Sequence, residues 1–151
     1  MIDEKTLRLD EQLCFALYAA TNAVTRAYRP LLAQLELTYP QYLVMLVLWQ
    51  EENSTSRAIA QRLQLSANAI SPLLDRLEES GLIVRERDRT DRRVVHITLT
   101  PRGGALESDV YDVQQVVECQ TGLASDDLNQ LRDELAALAE RMATKAAHRG
   151  D

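Results

Sequence analysis

Ser56-Arg57-Ala58-Ile59-Ala60-Gln61-Arg62-Leu63, followed by Ser66-Ala67-Asn68-Ala69-Ile70-Ser71-Pro72-Leu73-Leu74-Asp75-Arg76-Leu77, decides how this chain folds. The first eight residues read as a short helix. The second run reads as a longer helix, from Ser66 to about Ser80, because Ile70, Leu73, Leu74 and Leu77 recur at i, i+3, i+4 and i+7 and bury one face. Gly81 supplies the stop just past its end. Leu82-Ile83-Val84-Arg85-Glu86-Arg87 and Arg93-Val94-Val95-His96-Ile97-Thr98-Leu99-Thr100 then read as two strands joined by the polar turn Asp88 to Arg92. Helix, short turn, helix and hairpin make a winged helix-turn-helix. That arrangement sets one helix in a DNA major groove and a basic hairpin tip against the backbone or the minor groove.

Pro72 disturbs this reading, since it removes an amide inside the second helix. Ser71 could cap a helix that begins at Pro72. The phase of Ile70 with the later leucines favours a start at Ser66 with a distorted second turn. Either way Ser66, Asn68 and Ser71 lie near the end that approaches base edges, where serine bonds to several bases and asparagine suits adenine. Arg76 adds a cation further along the same helix.

Charge points the same way. The chain has 17 basic and 23 acidic residues, net −6, yet Ser56 to Arg102 holds nine arginines against six acids, net +3. Arg85, Arg87, Arg89, Arg92 and Arg93 crowd the hairpin. A basic module in an otherwise acidic chain is the footprint of a nucleic-acid binder whose remainder does something else. Salt bridges among Glu86, Asp88, Asp91 and these arginines on a solvated hairpin are the plainer explanation, and the preceding helix-turn-helix argues against it.

At 151 residues and 46% hydrophobic, the chain suffices for one compact unit, and its few glycines and prolines indicate mostly helix. No apolar run is long enough to span a membrane, and Met1-Ile2-Asp3-Glu4-Lys5 lacks a signal-peptide core, so a cytoplasmic protein is expected. Neither Cys14 nor Cys119 then forms a permanent bridge, and each reads by itself as a small buried hydrophobe. No metal or cofactor is expected: there is no CxxC, and His96 and His148 lie far apart.

A long amphipathic helix is expected from about Leu7 to Leu35, with Leu13, Leu17, Ala20, Val24, Ala27 and Leu31 on one stripe and Pro30 kinking or closing it. Thr38 and Gln41, at capping-box spacing, open the next helix, which is apolar nearly all round to Gln50 and forms the buried centre. After the hairpin, Pro101 begins a helix to about Gln120. Ser125 caps a last one, whose Leu128, Leu131, Leu135, Leu138 and Met142 form a coiled-coil-like seam. So small a central module cannot cover both terminal stripes. The expected architecture is mainly α: a winged helix-turn-helix with a two-stranded wing over residues 37–100, and dimerisation helices in 1–36 and 101–151 that intertwine between two chains. A dimer of winged modules reads a palindrome.

Asp10-Glu11-Gln12-Leu13-Cys14-Phe15-Ala16-Leu17-Tyr18 and Leu37-Thr38-Tyr39-Pro40-Gln41-Tyr42-Leu43-Val44-Met45-Leu46-Val47-Leu48-Trp49 narrow the reading further. The chain resembles the organic-hydroperoxide-sensing repressors (OhrR type) of the MarR family, over essentially Leu7 to Leu138. Asp91-Arg92-Arg93 is similar to that family's Asp-x-Arg wing motif, which implies that Asp91 orients the wing and Arg93 reaches the minor groove. The resemblance also implies that Cys14 is the peroxide-reactive thiolate, with Tyr28 and Tyr39 donating hydroxyl hydrogen bonds that favour the anion. If the first helix is continuous, Cys14 and Tyr28 stand about 21 Å apart along it, so the partner subunit must supply the tyrosine. Cys119 implies the two-cysteine branch, in which the sulfenic acid at Cys14 of one chain is resolved by Cys119 of the other. Capping of Cys14 by a small cellular thiol remains open. Ala69, Ser71 and Asp75 depart from the threonines and basic residue usual in such relatives, and an acid at 75 facing DNA would repel phosphate.

Three functions fit these residues. The first is a dimeric, non-enzymatic repressor that leaves its operator DNA when organic hydroperoxide oxidises Cys14. The second is a MarR-type regulator released by a small phenolic ligand in an apolar pocket of Phe15, Tyr28, Tyr39 and Trp49. The third is a thiol peroxidase, in which the basic wing has no purpose.

Overall fold

The computed structural model describes residues 7–147; Met1 to Lys5 and His148 lie outside them. A short 3-10 turn at Leu9–Glu11 precedes α1 (Leu13–Ala33), α2 (Tyr39–Gln50), β1 (Asn53–Thr55), α3 (Ser56–Arg62), α4 (Ala67–Glu79), β2 (Ile83–Arg87), β3 (Val95–Leu99), α5 (Pro101–Gln120) and α6 (Ser125–Ala147). Packing divides the chain into two units, Met1–Gln115 and Val116–Asp151.

Within the first unit, α1 begins at Leu13, the first residue of its apolar stripe and six residues later than the expected start at Leu7. Gln12 is extended (φ −93°, ψ 126°), its amide bonded to the Leu9 carbonyl and its side chain to the Arg8 carbonyl, so the 3-10 turn and α1 are separate pieces. Cys14 therefore occupies the first turn of α1. Pro30 does not close the helix, which continues to Ala33. Only Tyr28 and Leu32 of α1 are buried, whereas Leu13 and Tyr18 remain 62% and 67% exposed.

The α2 helix starts as its sequence requires. Thr38 Oγ1 accepts from the Gln41 amide and Gln41 Oε1 from the Thr38 amide at 2.9 Å, with Pro40 in the first turn. Tyr42, Val44, Met45, Val47 and Leu48 are buried, which makes α2 the centre of the core. The α4 helix takes the longer of its two options: Ser66 caps it through the Ala69 amide at 3.2 Å, and it runs through Pro72. A proline in a helix interior costs about 3 kcal/mol. Burying Ile70 beside Leu74 and Leu77, worth about 2–3 kcal/mol, together with a cap worth about 1 kcal/mol, offsets that.

The hairpin of β2 and β3 pairs Ile83 with Leu99 through Arg87 with Val95. A third strand, absent from the sequence reading, joins it: β1 pairs antiparallel with β3, Ser54 opposite Ile97, giving the order β1-β3-β2. Asn53-Ser54-Thr55 has no hydrophobic alternation to announce a strand, and its partner lies far along the chain, so only the assembled fold specifies the pairing.

In the second unit α6 carries no buried residue, and Leu131, Leu135 and Met142 of its seam are exposed. Ser125 is the first helical residue, not the cap; Ala124 takes that place, its carbonyl accepting from Leu128.

Candidate functional site

On α4 the apolar residues Ile70, Leu74 and Leu77 face inward, which turns Asn68, Ser71, Asp75 and Arg76 outward. Ser66 Oγ is engaged in capping, so its hydrogen-bonding capacity is partly committed to the helix. Ala67, Ile70, Ser71 and Leu74 of α4, together with α3 and the hairpin, enclose a cleft of about 530 Å³ into which Arg57, Arg85, Arg87 and Arg93 also face. The sequence reading missed Arg57. It lies in the first turn of α3, and its inclusion follows from the packing of α3 against both α4 and β3.

The wing arginines are not equivalent. Arg85 is only 27% exposed, and its guanidinium lies 2.6 Å from Asp75 and 3.0 Å from Glu78. Glu78 also accepts from the Arg85 amide at 3.0 Å, so β2 is clamped to α4 by backbone and side chain together. This contact with Arg85 holds the Glu78 carboxyl below the usual carboxylate range and raises the Arg85 guanidinium. Arg85 thus stands as a brace between α4 and the β2–β3 hairpin. It also answers the concern over Asp75, whose charge is matched within the protein. Arg93, by contrast, is 91% exposed, and Asp91 grips its Nε and Nη2 at 3.1 Å each, leaving Nη1 for an outside acceptor. Arg87 Nη1 donates to the Arg92 carbonyl at 2.7 Å. Arg89 and Arg92 are exposed at the tip.

Asp88, not singled out in the sequence, organises that tip. Its carboxylate accepts from the Asp91 amide at 2.9 Å, from the Thr90 amide and hydroxyl, and contacts His96 Nε2 at 2.9 Å. The Asp91 amide foremost, then His96 and Thr90, hold this carboxyl far below the usual carboxylate range. Asp91 is lowered by its bond to Arg93. An aspartate followed two residues later by threonine is the Asx-turn signal that could have identified it.

A second cluster lies where α1 crosses α2. The rings of Tyr28, Tyr39 and Tyr42 pack with centroids 5.0–5.7 Å apart, and Tyr42 Oη donates to Tyr28 Oη at 3.4 Å. Burial, then the proximity of Tyr28, pushes the Tyr39 hydroxyl's pKa up. Tyr28 and Tyr39 thus lie side by side, with Tyr42 as an unforeseen third. Cys14 and Cys119 are both free and exposed, not the buried small hydrophobes their types suggest. Because α1 is unbroken between Cys14 and Tyr28, about 21 Å of helix separates them. Cys119 lies in the last turn of α5.

The expected aromatic pocket is not assembled as a unit. Trp49 instead donates from Nε1 to the Gly103 carbonyl at 2.9 Å and lines a separate concavity of about 180 Å³ with Leu46, Val110 and Tyr111. Phe15 is 37% exposed. Among the described residues no His, Cys, Asp and Glu group gathers as metal ligands, and no helix is long and apolar enough to cross a membrane.

Comparison with known proteins places this geometry. The MarR family profile matches residues 37–95. The HTH-type transcriptional regulator TtmR of Methylorubrum extorquens is 48% identical over 91% of this chain and 71% of its own length. The organic hydroperoxide resistance transcriptional regulator of Bacillus subtilis is 38% identical over 92% of this chain and 95% of its own. Among solved structures, AbfR of Staphylococcus epidermidis matches with a TM-score of 0.76 at 35% identity, covering 91% of this chain and 95% of that one. Reduced AbfR bound to DNA gives a TM-score of 0.75 at 35% identity, over 90% and 95% of the two chains. Disulfide-formed AbfR gives 0.65 at 33% identity, over 91% of each.

Proposed function

Given that this chain belongs to the MarR family of DNA-binding transcriptional regulators, we propose that it is a redox-sensing repressor, released from a palindromic operator when organic hydroperoxide oxidises Cys14. The observation that carries the reading is the separation of Cys14 and Tyr28 along α1, with Tyr39 and Tyr42 of α2 packed on Tyr28. Cys14 is exposed in the first turn, while Tyr28 sits with Tyr39 and Tyr42 about 21 Å further along the same helix. The hydroxyls can meet a Cys14 sulfur only if a second chain brings it. The sensor is then a property of the dimer. The exposed Leu13 and Tyr18 of α1 and the exposed Leu131, Leu135 and Met142 of α6 supply apolar surface for such a partner.

The chemistry is that of a thiolate and a peroxide. The Cys14 sulfur attacks the terminal peroxide oxygen, the O–O bond breaks, and the alkoxide takes a proton to leave as alcohol, giving a sulfenic acid. The Cys119 thiol of the partner subunit then displaces water from that sulfur and forms an intersubunit disulfide. The Bacillus subtilis relative, named for organic hydroperoxide resistance, and the disulfide-formed state of AbfR both support this course. On DNA, α4 would present Asn68, Ser71 and Arg76 to the major groove, while Arg87, Arg89, Arg92 and Arg93 meet backbone and minor groove.

Operator binding measured by fluorescence anisotropy, before and after cumene hydroperoxide, tests the proposal, with a non-reducing gel run in parallel. Release should coincide with a species of twice the chain mass, lost in Cys14→Ser and Cys119→Ser and reversed by a dithiol. A Cys14→Ser variant still released by peroxide would refute the sensor. A monomeric band carrying a mixed disulfide at Cys14 would replace the resolving role of Cys119 with a small thiol.

A further inference from the structure

The end of the recognition helix and the beginning of α5 share their caps. The α4 helix closes at Gly81, whose φ of +73° permits the reversal, with the Gly81 amide on the Glu78 carbonyl and the Leu82 amide on the Leu77 carbonyl. The outermost carbonyls of that terminus are met by residues 19 and 22 positions on. Thr100 Oγ1 donates to the Gly81 carbonyl at 2.6 Å, and Arg102 Nη1 donates to the Ser80 carbonyl at 2.7 Å. The same Thr100 oxygen accepts from the Gly103 amide at 3.0 Å and so caps the first turn of α5, with Pro101 as its first residue. One hydroxyl therefore ties the C-terminus of α4 to the N-terminus of α5.

Two further contacts leave the joint no play. Gly103 packs directly against β2's lead-in residue: a Cβ at 103 would overlap the Leu82 carbonyl oxygen. On its other side the Gly103 carbonyl accepts the Trp49 indole N–H, which fastens this turn to the buried helix α2. Close approach, shared caps and an anchor in the core are what make two elements move as one body.

We propose that Thr100, Gly103 and Trp49 are positioning residues that couple α5 to the recognition helix, so that displacing α5 re-aims α4 on DNA. This deepens, and rests on, the redox reading above, because oxidation at Cys14 is the displacement considered. Neither Thr100, Gly103 nor Trp49 lines the cleft between α4 and the hairpin. Its role is to prevent the hinge between β3 and α5 from absorbing the motion.

The test compares wild type with Thr100→Val, Thr100→Ser and Gly103→Ala, using operator affinity of the reduced protein divided by that of the peroxide-treated protein, together with the rate of Cys14 oxidation. Valine keeps the shape of threonine and removes both hydroxyl bonds. The affinity ratio should fall about thirty-fold, from the loss of two hydrogen bonds each worth roughly 1 kcal/mol at about 1.4 kcal/mol per ten-fold, while Cys14 oxidises at the wild-type rate. Serine restores the hydroxyl and should restore the ratio. Gly103→Ala forces the joint apart and should weaken reduced binding towards the oxidised wild-type value, again with unchanged oxidation. A wild-type ratio in folded Thr100→Val, or a lowered ratio that serine does not rescue, overturns the coupling. If wild type itself is not released by peroxide, the redox reading fails separately. The joint is then judged on Gly103→Ala, whose undiminished operator affinity would refute it.

Discussion

Arg85 and Arg93 sit on the same wing but should report differently when removed. Arg93 extends into solvent, 91% exposed, with Nη1 uncommitted, whereas Arg85 is spent on Asp75 and Glu78 inside the protein. Each phosphate contact adds about 0.9 to the log–log salt slope of binding. Arg93→Ala should therefore lower the slope by about 1.8 for a dimer, one contact per subunit. Between about 50 and 200 mM salt, its affinity would then fall roughly ten-fold less than that of wild type. Arg85→Ala should leave the slope unchanged and weaken the fold instead. Both carboxylates it abandons are substantially exposed, 52% and 40%, so water recovers much of their solvation. A loss of about 1–2 kcal/mol, or roughly 2–8 °C in Tm for a chain of this size, remains. Anisotropy titrations of a selected operator duplex across a salt series, paired with thermal melts, measure both quantities. If Arg85→Ala flattens the salt slope as Arg93→Ala does while its Tm is unchanged, Arg85 reaches DNA and the brace is misassigned.

The tyrosine cluster predicts that Tyr28→Phe and Tyr39→Phe slow Cys14 oxidation while operator binding stays near wild type. Unchanged peroxide kinetics in both would show that these hydroxyls do not act on the thiol. Acid should spare the wing for longer than ordinary carboxylates would: the depressed carboxyls of Glu78 and Asp88 stabilise it fully above the unfolded value of about 4 and lose that contribution only as pH falls through their lower folded values. Amide exchange at Thr90 and Asp91 checks this, and loss of protection already at pH 5 in the wild type would contradict it. Thr38→Ala removes the α2 capping box and should cost about 1 kcal/mol, a Tm shift of roughly 2–4 °C by calorimetry; no shift would mean that the cap contributes nothing to the core.

Local rules made much of this protein legible before any coordinates. The 3.6-residue phase of Ile70, Leu74 and Leu77, the capping pair Thr38 and Gln41, and Gly81 each impose structure through neighbours a few residues away. Those rules placed the winged helix-turn-helix and its basic hairpin, and the narrow motifs around Cys14 and Tyr39 pointed to its family. They set the start of α1 at about Leu7, whereas the extended backbone at Gln12 delays it to Leu13, where the apolar stripe itself begins. Charge also misled: composition counts every wing arginine alike, whatever its partner.

Which arginine is spent internally, which hydroxyl joins two helices and which strand extends the hairpin were settled only by tertiary structure. Asp75 meets Arg85, Thr100 meets Gly81, and Ser54 pairs with Ile97 across intervals that carry no periodic signal. The physical reason lies in the range of the forces. Helix phase, caps and turns are set by backbone geometry within one or two turns, so residue order alone specifies them. A salt bridge or a shared cap depends on where two separately formed elements come to rest, and that is set by the packing of the whole core.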